Sequence, residues 1–191
     1  MLYALRIVVP CLLLLTGAGA VAQTAEPAVK KLDTAADPLK KAELVGKVTT
    51  GDMMFQLELE GSEEMWAQMG NPPVWGKHSP SKDERYHVEF KLTDPNSKTR
   101  IPYADITFTA VNKDNGKKLE LHLPPMWGSS GLHYSANSAL AGDGAYAAIV
   151  TVDVPTFERE FKDKDLWSMP VSAKFHFRLK DGLLTEVSHD R

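Results

Sequence analysis

The sequence predicts an all-β protein, an immunoglobulin-like β-sandwich folded as one domain. Three observations carry that expectation. Apolar and polar residues alternate with period two in several separate segments, the mark of strands with one buried face. Turn residues fall between those segments at intervals of about ten residues. Setting aside the start of the chain leaves about 145 residues, enough for a single core.

Residues 1–22 read as a cleaved signal peptide. Arg6 gives a positive start, Ile7 to Leu15 an apolar run, and Ala20-Val21-Ala22 a peptidase site before Gln23. Export to a bacterial periplasm follows. Cys11 lies inside the apolar run rather than at its end, so lipid attachment is not expected. Residues 23–42 read as a flexible leader, and 43–191 as the folded domain.

Within the domain, a first strand is expected from Met53 to Glu60. Ser62 to Gln68 suits one helical turn, and Gly70 to Lys82, with Pro72, Pro73 and Pro80, reads as loop. Tyr86, Val88, Phe90 and Leu92 then alternate with His87, Glu89 and Lys91. Ile106, Phe108 and Ala110 form the next apolar face. Asn115-Gly116 joins this strand to Leu119, Leu121 and Leu123 as a hairpin. Tyr146 to Val154 and Val171 to Leu179 complete the set.

Composition excludes several functions. Without the signal, the chain of 191 residues keeps 21 basic side chains against 25 acidic ones, since only Arg6 is lost. A mildly acidic chain with no basic stripe is not expected to bind nucleic acid. The exported part has no cysteine, hence no disulfide or thiolate chemistry. No later segment approaches the roughly 20 apolar residues of a membrane span. Motifs for nucleophilic, zinc-hydrolase and phosphate-binding catalysis are absent, so an enzyme is not expected.

Two pairs of residues carry candidate chemistry. His87 and Glu89 lie at strand positions i and i+2, on one face, so both can approach one ion. The competing reading is a solvent-facing stripe that Lys91 continues. Met126 and His133 sit seven residues apart across Gly128-Ser129-Ser130-Gly131, read as a loop after Pro124-Pro125 stops a strand. Thioether sulfur with imidazole nitrogen is a ligand set that suits copper. Otherwise Met126 fills a gap at the end of the sandwich and His133 caps a carbonyl. His122 and His176 read as exposed strand positions, His78 as part of a Pro-rich loop, and His189 as tail. Met53, Met54, Met65 and Met69 read as packing rather than a copper(I) cluster.

Taken together, these residues resemble a known family. The shared pattern is His87-Val88-Glu89, Ile101-Pro102-Tyr103, Pro125-Met126 through His133-Tyr134-Ser135-Ala136-Asn137, and Gly142-Asp143-Gly144-Ala145-Tyr146. It is similar to the periplasmic iron-transport companion proteins, which include a treponemal metal-binding lipoprotein. The resemblance covers roughly residues 84–178. It implies an immunoglobulin-like homodimer that binds copper or another divalent ion and serves an inner-membrane iron permease. It implies His87, Met126 and His133 as ligands, with Glu89 beside or on the metal. Ser129-Ser130 replaces an acidic residue of the family, and Arg159-Glu160-Phe161-Lys162 stands where the family has a further histidine. Glu160 is thereby expected in place of an imidazole. Copper and iron are the expected ions, and zinc and manganese also suit the donors. A different class of function stays open: an immunoglobulin-like interaction module with Trp66, Trp75 and Trp127 as contact anchors.

Overall fold

The computed structural model describes residues 28–189, so the expected signal peptide lies outside the described residues. Two antiparallel sheets form the sandwich. The larger is ordered β1 (Lys30–Ala36), β13 (Leu183–His189), β12 (Val171–Lys180), β11 (Gly144–Val152), β7 (Ile106–Asn112), β8 (Lys118–His122). The other is ordered β2 (Glu43–Thr50), β3 (Met53–Gly61), β6 (Tyr86–Thr93), β10 (Gly131–Ser138), β9 (Pro125–Gly128). A separate hairpin pairs β4 (Met65–Met69) with β5 (Val74–His78).

Period-two alternation builds the core. Phe55, Leu57 and Leu59 of β3 and Val88, Phe90 and Leu92 of β6 face inward from one sheet. Phe108, Val150, Phe175 and Leu179 meet them from the other, and all belong to one apolar cluster. Each such side chain contributes about 1.5–3 kcal/mol by leaving water. The Phe55 and Phe90 rings meet edge to face, centroids 5.0 Å apart. Tyr134 of β10 also points inward. Its hydroxyl donates to the Ile101 carbonyl at 2.9 Å and accepts from the Ala104 N–H at 3.1 Å, fixing the loop before β7.

Pro124 and Pro125 decide where the chain changes sheets. Neither can donate to a ladder, so hydrogen bonding to β7 ends with the Leu123 N–H on the Ile106 carbonyl at 2.9 Å, and the chain steps across to open β9. Pro125 is tolerated because it begins an edge strand.

Three expectations need correction. Residues 30–36, assigned to a flexible leader, form β1 and pair antiparallel with β13. The edge of the larger sheet offers them a ladder, which the polar composition of the segment does not reveal. Ser62–Gln68 holds no helical turn: Met65–Met69 is extended and pairs with Val74–His78, inside the stretch read as loop. Cross-strand bonding outweighs helix propensity there. The loop expected around Met126 and His133 is a tight hairpin, with Gly128 opposite Gly131 and both candidate ligands on strands. Gly131, at φ +83°, takes the left-handed conformation that closes it.

Candidate metal centre

The outward face of the five-stranded sheet is polar, yet its centre is buried. β6 is the middle strand, and all eight of its residues are buried. Register sets three rows across this face. Glu60 lies opposite His87, which lies opposite Asn137. Glu58 lies opposite Glu89, which lies opposite Ser135. Gln56 lies opposite Lys91, and beside them His133 lies opposite Met126. His87 is fully buried, and Glu89 and His133 are 5% and 4% exposed, so the solvent-stripe reading of β6 is set aside.

The candidate ligands share one face. The rings of His87 and His133 stand nearly perpendicular with centroids 6.5 Å apart. Met126 Sδ accepts a hydrogen bond from the Ser135 hydroxyl at 3.2 Å. Ser135 lies between His133 and Asn137 on the same face, so the sulfur is drawn toward the middle of the face. Gly128 admits the His133 ring: a Cβ there would sit 3.0 Å from Cε1.

Both imidazoles present the same nitrogen. Asn137 Nδ2 donates to the Glu63 carbonyl at 2.8 Å, while its Oδ1 accepts from the Glu63 N–H at 3.2 Å. That oxygen also lies 2.9 Å from His87 Nδ1, which must therefore carry the proton. His87 Nε2 keeps a lone pair and is buried with no partner. His133 Nδ1 donates to the Gly131 carbonyl at 3.0 Å, so the ring does cap a carbonyl and leaves Nε2 as the nitrogen available to an ion. A neutral imidazole fixed through Nδ1–H is in the form that binds a metal.

Charge around the histidines is dense. Lys91 Nζ lies 2.6 Å from Glu58 and 2.9 Å from Glu89. Burial opposes ionisation of Glu89, but the Lys91 ammonium, the His133 ring and the Ser130 hydroxyl outweigh it and hold its carboxyl below the usual range. Ser130 donates to Glu89 at 3.0 Å. Burial also works against the Lys91 charge, yet the two carboxylates raise its pKa overall. Glu60 behaves oppositely. Burial, then the charge of Glu63 and the hydrogen bond and charge of Glu89, push it up to about 8. At neutral pH it is protonated and bonds to the Glu89 carboxylate.

Among the sequence-predicted set, the structure gathers His87, Glu89, Met126 and His133. Glu160 stands apart: it is exposed before a short 3₁₀ turn at Phe161–Asp163 and pairs with Lys162 at 3.1 Å. Met53 is in the core, while Met69 is exposed and folds over Gly76. Sequence reasoning missed Glu58, Glu60, Glu63 and Asn137. The signal was available for two of them, because Glu58 and Glu60 alternate with Leu57 and Leu59 as His87 and Glu89 do with Val88.

A family model described as Fe2+ transport protein matches residues 75–179. The chain belongs to the Fe2+ transport protein family. The match includes every predicted ligand and excludes Glu58, Glu60 and Glu63. A UPF0423 protein of Brucella abortus strain 2308 is 27% identical over 118 residues, 53% of this chain and 65% of that protein. The chain thus spans about two thirds of the curated relatives it matches. FetP of a uropathogenic Escherichia coli strain, solved as isolated after expression in the periplasm, superposes with TM-score 0.59 at 23% identity, covering 73% of this chain and 96% of FetP. A copper-reconstituted Campylobacter jejuni protein gives TM-score 0.58 at 19% identity, covering 73% of this chain and 96% of its own. At these identities the likeness is one of fold.

Proposed function

We propose that this member of the Fe2+ transport protein family is a periplasmic carrier that binds a copper or ferrous ion and delivers it to an inner-membrane iron permease. The placement of His87, His133 and Met126 on one face, with His87 Nε2 buried and unpartnered, supports the reading most directly. His87, His133 and Met126 supply soft and borderline donors, and Glu89 a carboxylate beside them. That set favours copper and accommodates Fe(II), Zn(II) or Mn(II). The copper held by a related fold in Campylobacter jejuni is consistent with it. In this reading the ion is cargo, the signal peptide is removed on export, and the working form is a homodimer. Glu160, exposed here, joins the ligands only if a second protomer brings it to the site.

A ligating imidazole must give up its proton at the binding nitrogen, so affinity falls on acidification. Calorimetry of Met126→Ala and His133→Ala tests the assignment. Each is expected to lose Cu(II) affinity by about tenfold or more. Unchanged affinity in both defeats it.

One observation favours a second reading. Trp66, Trp75 and Trp127 are 57%, 65% and 79% exposed, as contact anchors of an interaction module would be. Protein purified from its native periplasm with no bound or bindable transition metal would favour that reading.

A further inference from the structure

We propose that the β4–β5 hairpin is a membrane-docking arm, which seats its uncharged end in the headgroup layer of a phospholipid bilayer. From Met65 to Gly76 the chain carries no charged side chain, although 25% of the protein's residues are charged. Every residue from 66 to 75 is exposed. Among them Trp66, Met69, Val74 and Trp75 are large, apolar and each more than half exposed.

Apolar side chains stand on both faces of the ribbon. Cross-strand register puts Trp66 and Trp75 on one face with Lys77, and Met69 and Val74 on the other. The sandwich covers neither face, because β4 and β5 pair and pack chiefly with each other. A folded protein docking on such a ribbon covers one face. A lipid surface is fluid and surrounds both, which favours lipid as the occupant. The composition agrees. Indole prefers the boundary between headgroups and acyl chains, and Pro72 and Pro73 remove two backbone donors that contact with lipid would otherwise desolvate.

Charge and pairing set the depth. Charge resumes on both strands at the base, where Lys77 Nζ lies 2.5 Å from Glu64 and 5.7 Å from the centre of the Trp66 ring. From that level to the turn after Met69 is roughly 10 Å of strand, about the depth to which interfacial segments sink. The ribbon goes no deeper. Among the described residues its two outer edges have no ladder partner, and hydrocarbon cannot satisfy their N–H and C=O groups. Contact is therefore peripheral and spans nothing.

The arm is rooted beside the candidate metal centre. The Ser62 N–H donates to the Arg85 carbonyl at 3.1 Å, closing the base of the excursion. Both backbone groups of Glu63 are held by Asn137, which also orients His87. Docking thus keeps the centre within a hairpin's length of the lipid surface, where a permease takes up its ion. Only this consequence rests on the carrier reading given above; the docking does not.

The test uses residues 23–191 without metal, so that the apolar run at the start of the chain does not itself bind lipid. The protein is sedimented with protein-free vesicles of phosphatidylethanolamine and phosphatidylglycerol. Wild type is expected to co-sediment, and the double variant Val74→Asp/Trp75→Asp to lower the partition coefficient about tenfold or more. Phe161→Asp removes an 85% exposed ring between β11 and β12 and is expected to stay within about twofold of wild type. Because the arm is uncharged, partition should change less than about twofold between low salt and about 0.5 M NaCl. Urea midpoints, which exposed positions should leave unchanged, verify that the variants fold. Wild type that stays in the supernatant leaves the surface to a protein partner and overturns the arm, as does equal partition of wild type and the double variant. Loss of binding in salt assigns the contact to charges elsewhere, and an altered oligomeric state of the lipid-free double variant assigns the hairpin to a second copy of this chain; either result also overturns it.

Discussion

The Oδ1 of Asn137 lies 2.9 Å from Nδ1 of His87, and that contact selects the imidazole tautomer. The amide cannot rotate to offer its nitrogen instead, because both of its ends are engaged by the Glu63 backbone. Asn137→Leu removes the acceptor while keeping similar volume. Cu(II) affinity is expected to drop by about 10–100-fold, the usual effect of losing a partner behind a ligand. Affinity equal to wild type by calorimetry would show that the ring needs no such partner.

Gly128 offers a change confined to the ring of His133. An added methyl would lie 3.0 Å from Cε1, tighter than ordinary contact. Gly128→Ala is expected to cost at most about 1 kcal/mol of stability, since a strand disfavours glycine and the backbone needs no positive φ there. It should nevertheless weaken Cu(II) binding by pushing the imidazole from its place. Denaturant titration and calorimetry on the same sample separate the two effects.

Lys91 lies between two acidic side chains, Glu58 and Glu89, with an 11% exposed ammonium-bearing chain. Lys91→Met leaves their charges facing each other in a buried setting. Urea denaturation should show a loss of about 3 kcal/mol or more. Part of that loss should return when a divalent cation is added, because the ion supplies positive charge to the same face. A variant as stable as wild type without metal would mean that the carboxylates are better hydrated than their burial indicates.

Glu60 gives the stability a pH slope. Its pKa in the folded protein is about 8, above the ordinary value of 4.5, so between these values the folded state holds more proton than the unfolded one. Its contribution is complete below the lower value, declines as pH rises and is gone above the upper one. Glu60→Gln should flatten that part of the profile. Urea midpoints measured across the window should fall with pH in wild type and change less in the variant; parallel profiles would exclude Glu60 as the source.

Much of the sandwich was legible because strands with one apolar face announce themselves by period two. β6, β7, β8, β11 and β12 carry that pattern in Val, Ile, Leu, Phe and Tyr. β4 and β5 do not: Met65-Trp66-Ala67-Gln68-Met69 is made of good helix formers, and its pairing is visible only in three dimensions. β10 hides its period because His133, Ser135 and Asn137 are polar residues facing a buried surface. The same fact obscured the centre. Glu58 and Glu60 look like the wet side of an edge, and only their register with Glu89 and His87 reveals that they are covered. Asn137 stood in the quoted motif, but its role depends on Glu63, which is 74 residues away along the chain.

β6 places Val88 and Phe90 in the hydrocarbon interior and His87, Glu89 and Lys91 on the opposite side of the same eight-residue strand. An insertion or deletion of a single codon within it would exchange the two sides, sending an imidazole among phenylalanines and valines toward carboxylates. Point replacements along this strand can be graded and repaired, whereas a frame-preserving length change there removes core and centre in one event. Natural length variation in such proteins should therefore collect in the excursion between Ser62 and Arg85, whose ends are tied together by a 3.1 Å backbone hydrogen bond, and avoid β6 itself.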